Sequence, residues 1–188
     1  MPNDVSSVAV GKPKVGGAVF IAPLGSTLPT DATTVLDAAF KCLGYISEDG
    51  VVVTEERDSE TIPAWGGDTV ATVQTSYTET FAFTPIEVNP VVAAAEYGDD
   101  NVEVTSGKMT VKHNSKELPE KILVIETVPN SKTVDRFMVP RAKLTEKGDL
   151  TMADSEPMGR ECTFTALPDD SGNTAYEYMT ITGLAPSE

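Results

Sequence analysis

Residues 70–84 constrain this chain more than any other stretch. Ala71, Val73, Tyr77, Phe81 and Phe83 occupy odd positions, while Thr72, Gln74, Ser76, Thr78 and Thr80 occupy even ones. Successive side chains of a strand point to opposite faces, so a period of two kept this long is a strand, and a long one. One face is expected to be buried and the hydroxyl-rich face wet, which suits an antiparallel sheet exposed on one side. Threonine and valine recur along the whole chain, and both favour pleated surfaces.

Other segments read as strands on the same grounds. Ala18–Ala22 ends at Pro23. Lys41–Ile46 and Val51–Glu55 flank Ser47–Gly50, where Asp49-Gly50 is a hairpin signal. Val102–Thr105 and Lys108–Lys112 are expected to pair across Ser106-Gly107. Lys121–Val128 holds four consecutive aliphatic residues, Ile122–Ile125, as a central strand covered on both faces would. Val134–Val139, Lys143–Leu144, Leu150–Met152, Arg160–Ala166 and Tyr176–Thr182 complete the set, the last two joined by a turn at residues 168–173. Helix is expected at Pro90–Tyr97, with Asn89 as N-cap, Pro90 in the first turn and Gly98 as the stop. A shorter helical turn is expected over Thr33–Phe40, capped near Thr30 or Asp31. The fold class is therefore mainly β: an antiparallel sandwich or barrel with one flanking α-helix. Its expected division is an arm (1–17), one domain (18–182) and a tail (183–188).

Charge narrows the function. Fourteen Lys and Arg face 29 Asp and Glu, a net of −15. A protein that grips nucleic acid by its phosphates needs positive surface, so that class is excluded. An acidic surface keeps a protein soluble, and it also repels polyanions and like copies. No apolar run approaches the ~18–20 residues of a membrane span, and residues 1–17 lack an apolar signal region, so neither a membrane nor a conventionally secreted protein is expected. Cys42 and Cys162 lack the spacing of a metal or redox site and are expected as buried thiols. His113 is the only histidine and reads as an exposed turn residue. Without a second metal-type ligand, a nucleophile elbow or a phosphate loop, no catalytic, cofactor or metal residue is assigned, and no enzyme is expected.

Residues 56–68 read as a long connection between two strands, and connections of about 12 residues usually have a task. This one carries Arg57, Ile62, Pro63, the single tryptophan Trp65, Gly66, Gly67 and Asp68. A loop tryptophan is either a plug over the end of a barrel or an anchor for a partner.

Two runs resemble the tail tube proteins, or major tail proteins, of long-tailed bacteriophages. One is Leu36–Gly50, with Leu28–Ala32 before it; the other is Ile62–Asp68, followed by the long strand and Asn89-Pro90. The resemblance covers about residues 17–98 and thereafter only the rhythm of strands. It implies a barrel-like sandwich with a flanking helix, assembling with itself as hexameric rings stacked into a tube that passes DNA to the host without binding it specifically. It further implies a tape-measure protein, a tail terminator and distal tail or baseplate proteins as partners, with synthesis in the host cytoplasm and residence in the virion tail. Arg57, Ile62, Pro63, Trp65, Gly66, Gly67 and Asp68 would be contacts between subunits or rings, and Glu48, Asp49, Glu55 and Glu79 candidate acids of the lumen. The alternatives are a capsid decoration protein, the tube of a contractile injection machine, or a carbohydrate-binding or adhesion β-sandwich.

Overall fold

Ile122–Ile125 sit at the centre of the molecule, and each of the four is nearly or wholly buried. They belong to β7 (Lys121–Asn130), which pairs with β1 (Val19–Pro23) on one side and β8 (Thr133–Lys147) on the other. Alternation sends Leu123 and Ile125 into one apolar cluster and Ile122 and Val124 into a second, so the expected central strand covered on both faces is found. The computed structural model describes residues 3, 5 and 8–182; the expected 183–188 tail and part of the 1–17 arm lie outside them.

Among the described residues the chain is mainly antiparallel β with a single α-helix. Eight strands form one sheet in the order β2 (Lys41–Cys42), β1, β7, β8, β9 (Cys162–Ala166), β4 (Thr69–Pro85), β3 (Ile46–Pro63), with β10 (Tyr176–Ile181) also on β8. Val19 of β1, towards one end of that order, and Phe81 of β4, towards the other, share one cluster with Val139 and Phe164. The sheet therefore curls around its core as a sandwich or barrel does. Phe83 and Phe164 stack there with centroids 5.5 Å apart. Residues 28–40 cover the outer face of β1, β7 and β8, where Phe40 packs with Ala22, Ile122, Val124 and Met138.

β8 is one strand where two were expected. Its first half pairs with β10 through Met138, and its second half pairs with β9 from Ala142, on the edge away from β7. Pro140 falls in the gap between these partners and at a register shift against β7, where the ladder does not ask for the N–H it lacks.

α1 (Pro90–Tyr97) keeps its expected bounds. Asn89 accepts from the Val91 and Val92 amides at 2.9 Å each, and the Gly98 amide donates to Ala94 O. β5 (Val102–Thr105) and β6 (Lys108–Val111) form the expected hairpin, with positive φ at Ser106 and Gly107 as such a tight turn requires.

Several expectations give way. Thr33–Phe40 is not helical: Asp31 accepts from the Thr33 and Thr34 amides at 2.6 Å, but Thr33, Thr34 and Val35 are β-branched and no helix propagates. Ser47–Gly50 is not a hairpin turn; it is a bulged stretch inside β3, and Lys41–Cys42 pairs with β1. Leu150–Met152 forms no strand. Cys162 is buried but Cys42 only half so. His113 is exposed as expected, stacked on Tyr97 at 4.3 Å. Residues 10–17 are tied to the end of β7: Pro13 bridges Thr127, and the Val10 amide donates to Pro129 O.

Candidate functional site

The expected loop at 56–68 is a strand and a turn. β3 continues through Glu56–Pro63 and pairs with β4 as far as Pro63 opposite Thr69. The third strand stops short, because β9 leaves β4 at Glu79 opposite Ala166. From Glu56 outwards the ribbon has two strands only, and at ~3.3 Å per residue its eight β3 residues project roughly 25 Å. Nearly every residue of this ribbon is exposed on both faces.

Register explains why the alternation misled. Asp58 lies opposite Ser76, yet Ser59 lies opposite Gln74, so Thr75 is an extra residue. A bulge of this kind moves everything beyond it to the other face. Tyr77, Glu79, Phe81 and Phe83 point to the core side, with burial starting at Glu79; Ala71 and Val73 share the opposite face with Glu60 and Ile62. The single buried face expected for residues 70–84 is thus confined to the inner half.

At the tip the Ala64 amide donates to Asp68 O at 2.6 Å and the Gly67 amide to Ala64 O at 3.0 Å, with φ of +115° at Gly66 and +99° at Gly67. Glycine is the residue that takes such angles without strain. Trp65 stands fully exposed on this turn, so it plugs no barrel end of its own chain. Ile62, Val70 and Val73 around it are each at least half exposed.

Arg57, Ile62, Pro63, Trp65, Gly66, Gly67 and Asp68 are therefore brought together on one projection. The four candidate lumen acids are not. Glu48 and Asp49 lie exposed at the far end of β3, and Glu55 at the root of the ribbon, 3.5 Å from the Arg57 guanidinium. Glu79, directly opposite Glu55, is only 6 % exposed and accepts from Thr174 Oγ1 and from Tyr77 Oη. Arg57 lies over the Tyr77 ring at 4.2 Å, and burial, ahead of the nearby carboxylates, pushes the Tyr77 hydroxyl above its ordinary range. Sequence reasoning missed Val70 and Val73, whose membership of the apolar tip depends on the bulge.

A family model described as phage tail tube protein matches residues 3–185. No curated protein matches the chain in sequence. Among solved structures, the chain is similar to one from the sheath–tube complex of an extracellular contractile injection system in its extended state, at 9 % identity and TM-score 0.46, covering 96 % of this chain and 99 % of that one. Another is from the tube-terminating cap of the anti-feeding prophage, at 10 % identity and TM-score 0.44, covering 94 % and 98 %. The match of the family model over nearly the full length decides the assignment: this chain belongs to the phage tail tube protein family.

Proposed function

We propose that copies of this chain assemble, as hexameric rings stacked head to tail, into the tube of a phage tail, and that the tube conducts the genome to the host. The observation that carries this reading is the bare hairpin, about 25 Å of two-stranded ribbon with both faces in water and a tryptophan at its end. A two-stranded ribbon is marginal by itself, and the open edge of β3 is a template for further pairing. Neighbouring copies that cover the hairpin resolve both problems. An interface between unlike surfaces propagates without closing, as a stack requires.

The role is passive and needs no turnover. The −15 charge suits a conduit for DNA, since like charge keeps phosphates from adhering. Glu48, Asp49 and Glu55 are exposed and available to a lumen wall; Glu79 is engaged within the chain. A tape-measure protein sets the length, terminator and distal tail or baseplate proteins close the ends, and assembly follows synthesis in the host cytoplasm.

Negative-stain electron microscopy of the purified chain across concentration and salt tests this. Rings or tubes are expected, favoured as salt screens the net charge. Trp65→Ser removes an interface anchor whose truncation costs at least ~2 kcal/mol, so the assembly threshold should rise at least ~30-fold. The melting temperature should not move, because this side chain is fully exposed. Wild-type chains that stay monomeric throughout, or a Trp65→Ser chain that assembles like wild type, would refute the proposal.

A further inference from the structure

The sheet forks where β9 ends. Ala166 is the last residue of β9 to pair, opposite Glu79 of β4 and Ala142 of β8, and from Met138 onwards the same edge of β8 carries β10. β10 and the outer half of β4 therefore leave β9 as two prongs whose unpaired edges face each other. Between them lies a cleft of about 470 Å³, lined chiefly by Glu55, Arg57, Tyr77, Glu79, Phe137 and Glu177. The turn before β10 closes its root, where Thr174 Oγ1 donates to Glu79.

The cleft is short of cations. Arg57, the one basic residue of its lining, is taken by Glu55 at 3.5 Å and by the Tyr77 ring. Glu79 is almost wholly buried, yet its donors are two hydroxyls. Glu177 has no cation partner among the described residues. Asp135, two residues along the ladder on the same face, is only 7 % exposed and keeps Oδ1 without a partner. Carboxylates withdrawn from water are costly until a cation meets them. The cleft therefore suits a basic side chain whose apolar stem can lie along Tyr77 and Phe137.

The chain offers such a group at its other end. β5 and β6 pack beside α1, at the Pro85 end of β4, and neither lines the cleft. Residues 104–116 hold three lysines and no acid, in a chain of net −15. Lys112 is met by Glu103 at 3.7 Å, whereas Lys108 and Lys116 have no side-chain partner among the described residues. Lys121, Arg141, Lys143 and Arg160 each have a carboxylate of their own. Lys12 is free too, but it lies beside Val128 at the cleft's own end. Lys108 follows the tight Ser106-Gly107 turn, opposite Thr105, and so stands exposed on a convex tip.

We propose that the β5–β6 turn of one copy enters the fork between β10 and the ribbon of the next, with Lys108 reaching Glu177 and Glu79. Tip and cleft lie at different ends of the chain, so each docking leaves one of each free and the contact repeats. The inference rests on the assembly reading above and adds the surface by which one copy grips the root of its neighbour's hairpin.

Charge reversal tests it. Lys108→Glu and Glu177→Lys, both at exposed positions, should each raise the assembly threshold at least ~10-fold, read by sedimentation at one fixed salt concentration, with melting temperatures unchanged. The chain carrying both changes should recover most of that loss. Because Lys108 does not line the cleft of its own chain, such recovery comes from contact between copies. Lys116→Glu combined with Glu177→Lys should recover nothing. Single reversals that assemble like wild type, a double reversal without recovery, or equal recovery with Lys116→Glu would overturn this pairing. The assembly reading survives each of these if wild type polymerises and Trp65→Ser raises its threshold. If wild type never polymerises, both fall.

Discussion

Arg136 is the sharpest test of how this fold is held. It is wholly buried, and its partner Glu126 is buried with it. Nε donates to Glu126 Oε1 at 2.9 Å and Nη2 to the same carboxylate, while Nη1 and Nη2 donate to Asp31 O and Thr34 O at 2.6 and 2.9 Å. One guanidinium thus pins residues 31–34 to the sheet. Arg136→Met leaves a buried carboxylate and two carbonyls without their donor. Removing one member of a buried pair costs ~3–5 kcal/mol. The low end applies here, because Lys14 Nζ still reaches Glu126 Oε2 at 2.8 Å. At ~2–4 °C per kcal/mol for a chain of this size, the melting temperature should fall by about 6–12 °C. Arg136→Met with Glu126→Met should recover part of that loss, since an apolar pair can replace a buried ion pair at little cost, while Asp31 O and Thr34 O remain without their donor. Lys14 then loses its partner, but it is 40 % exposed and such contacts are worth little. Circular dichroism melts of wild type, both single variants and the double variant, below the assembly threshold, measure the cycle. A single variant within ~1 kcal/mol of wild type, or a double variant no better than the single one, would overturn this account.

Three further outcomes are expected. Asn89→Ala removes the acceptor for two helix-end amides and should cost ~1 kcal/mol, read as a melting shift of about 2–4 °C. Burial pushes the Cys162 thiol up to about 12, so a thiol reagent at pH 8 should modify Cys42 in the native protein and Cys162 only after unfolding; modification of both at one rate would contradict this. Burial also raises the Asp135 carboxyl, whose Oδ1 has no partner. A raised folded value means that ionisation opposes folding, so the penalty is present at neutral pH and disappears below the unfolded value. Asp135→Asn should therefore stabilise at pH 7, with the gain shrinking as pH falls towards 4; a gain that grows on acidification would refute the sign.

Local signals were the legible ones. Asn89, Pro90 and Gly98 fix α1 within a few residues of sequence, and Ile122–Ile125 announce a strand with cover on both sides. The hairpin was hidden for a physical reason. Alternation arises when one face of a strand is dry, and Glu56–Pro63 has no dry face within a single chain, so its acids read as a solvated loop. The bulge at Thr75 hid the tip likewise: residues 71 and 73 keep the odd-number rhythm of Tyr77 and Phe81 but lie on the other side of the ribbon. Asp49-Gly50 carries a turn signal that long-range pairing turned into a bulge, and Asp31 starts a turn that β-branched residues do not extend.

The five residues of β9 have a mechanical consequence. In the strand order the β3–β4 ribbon joins the rest of the sheet only through Cys162–Ala166, which ladder onto β4 on one edge and β8 on the other. A pull on the ribbon along its strands loads that short ladder in shear, so its hydrogen bonds must give together and not one by one. Tension between neighbours that hold the hairpin would run from β4 through β9 into β8, making Thr163–Thr165 the joint on which the tensile strength of a filament of such subunits depends.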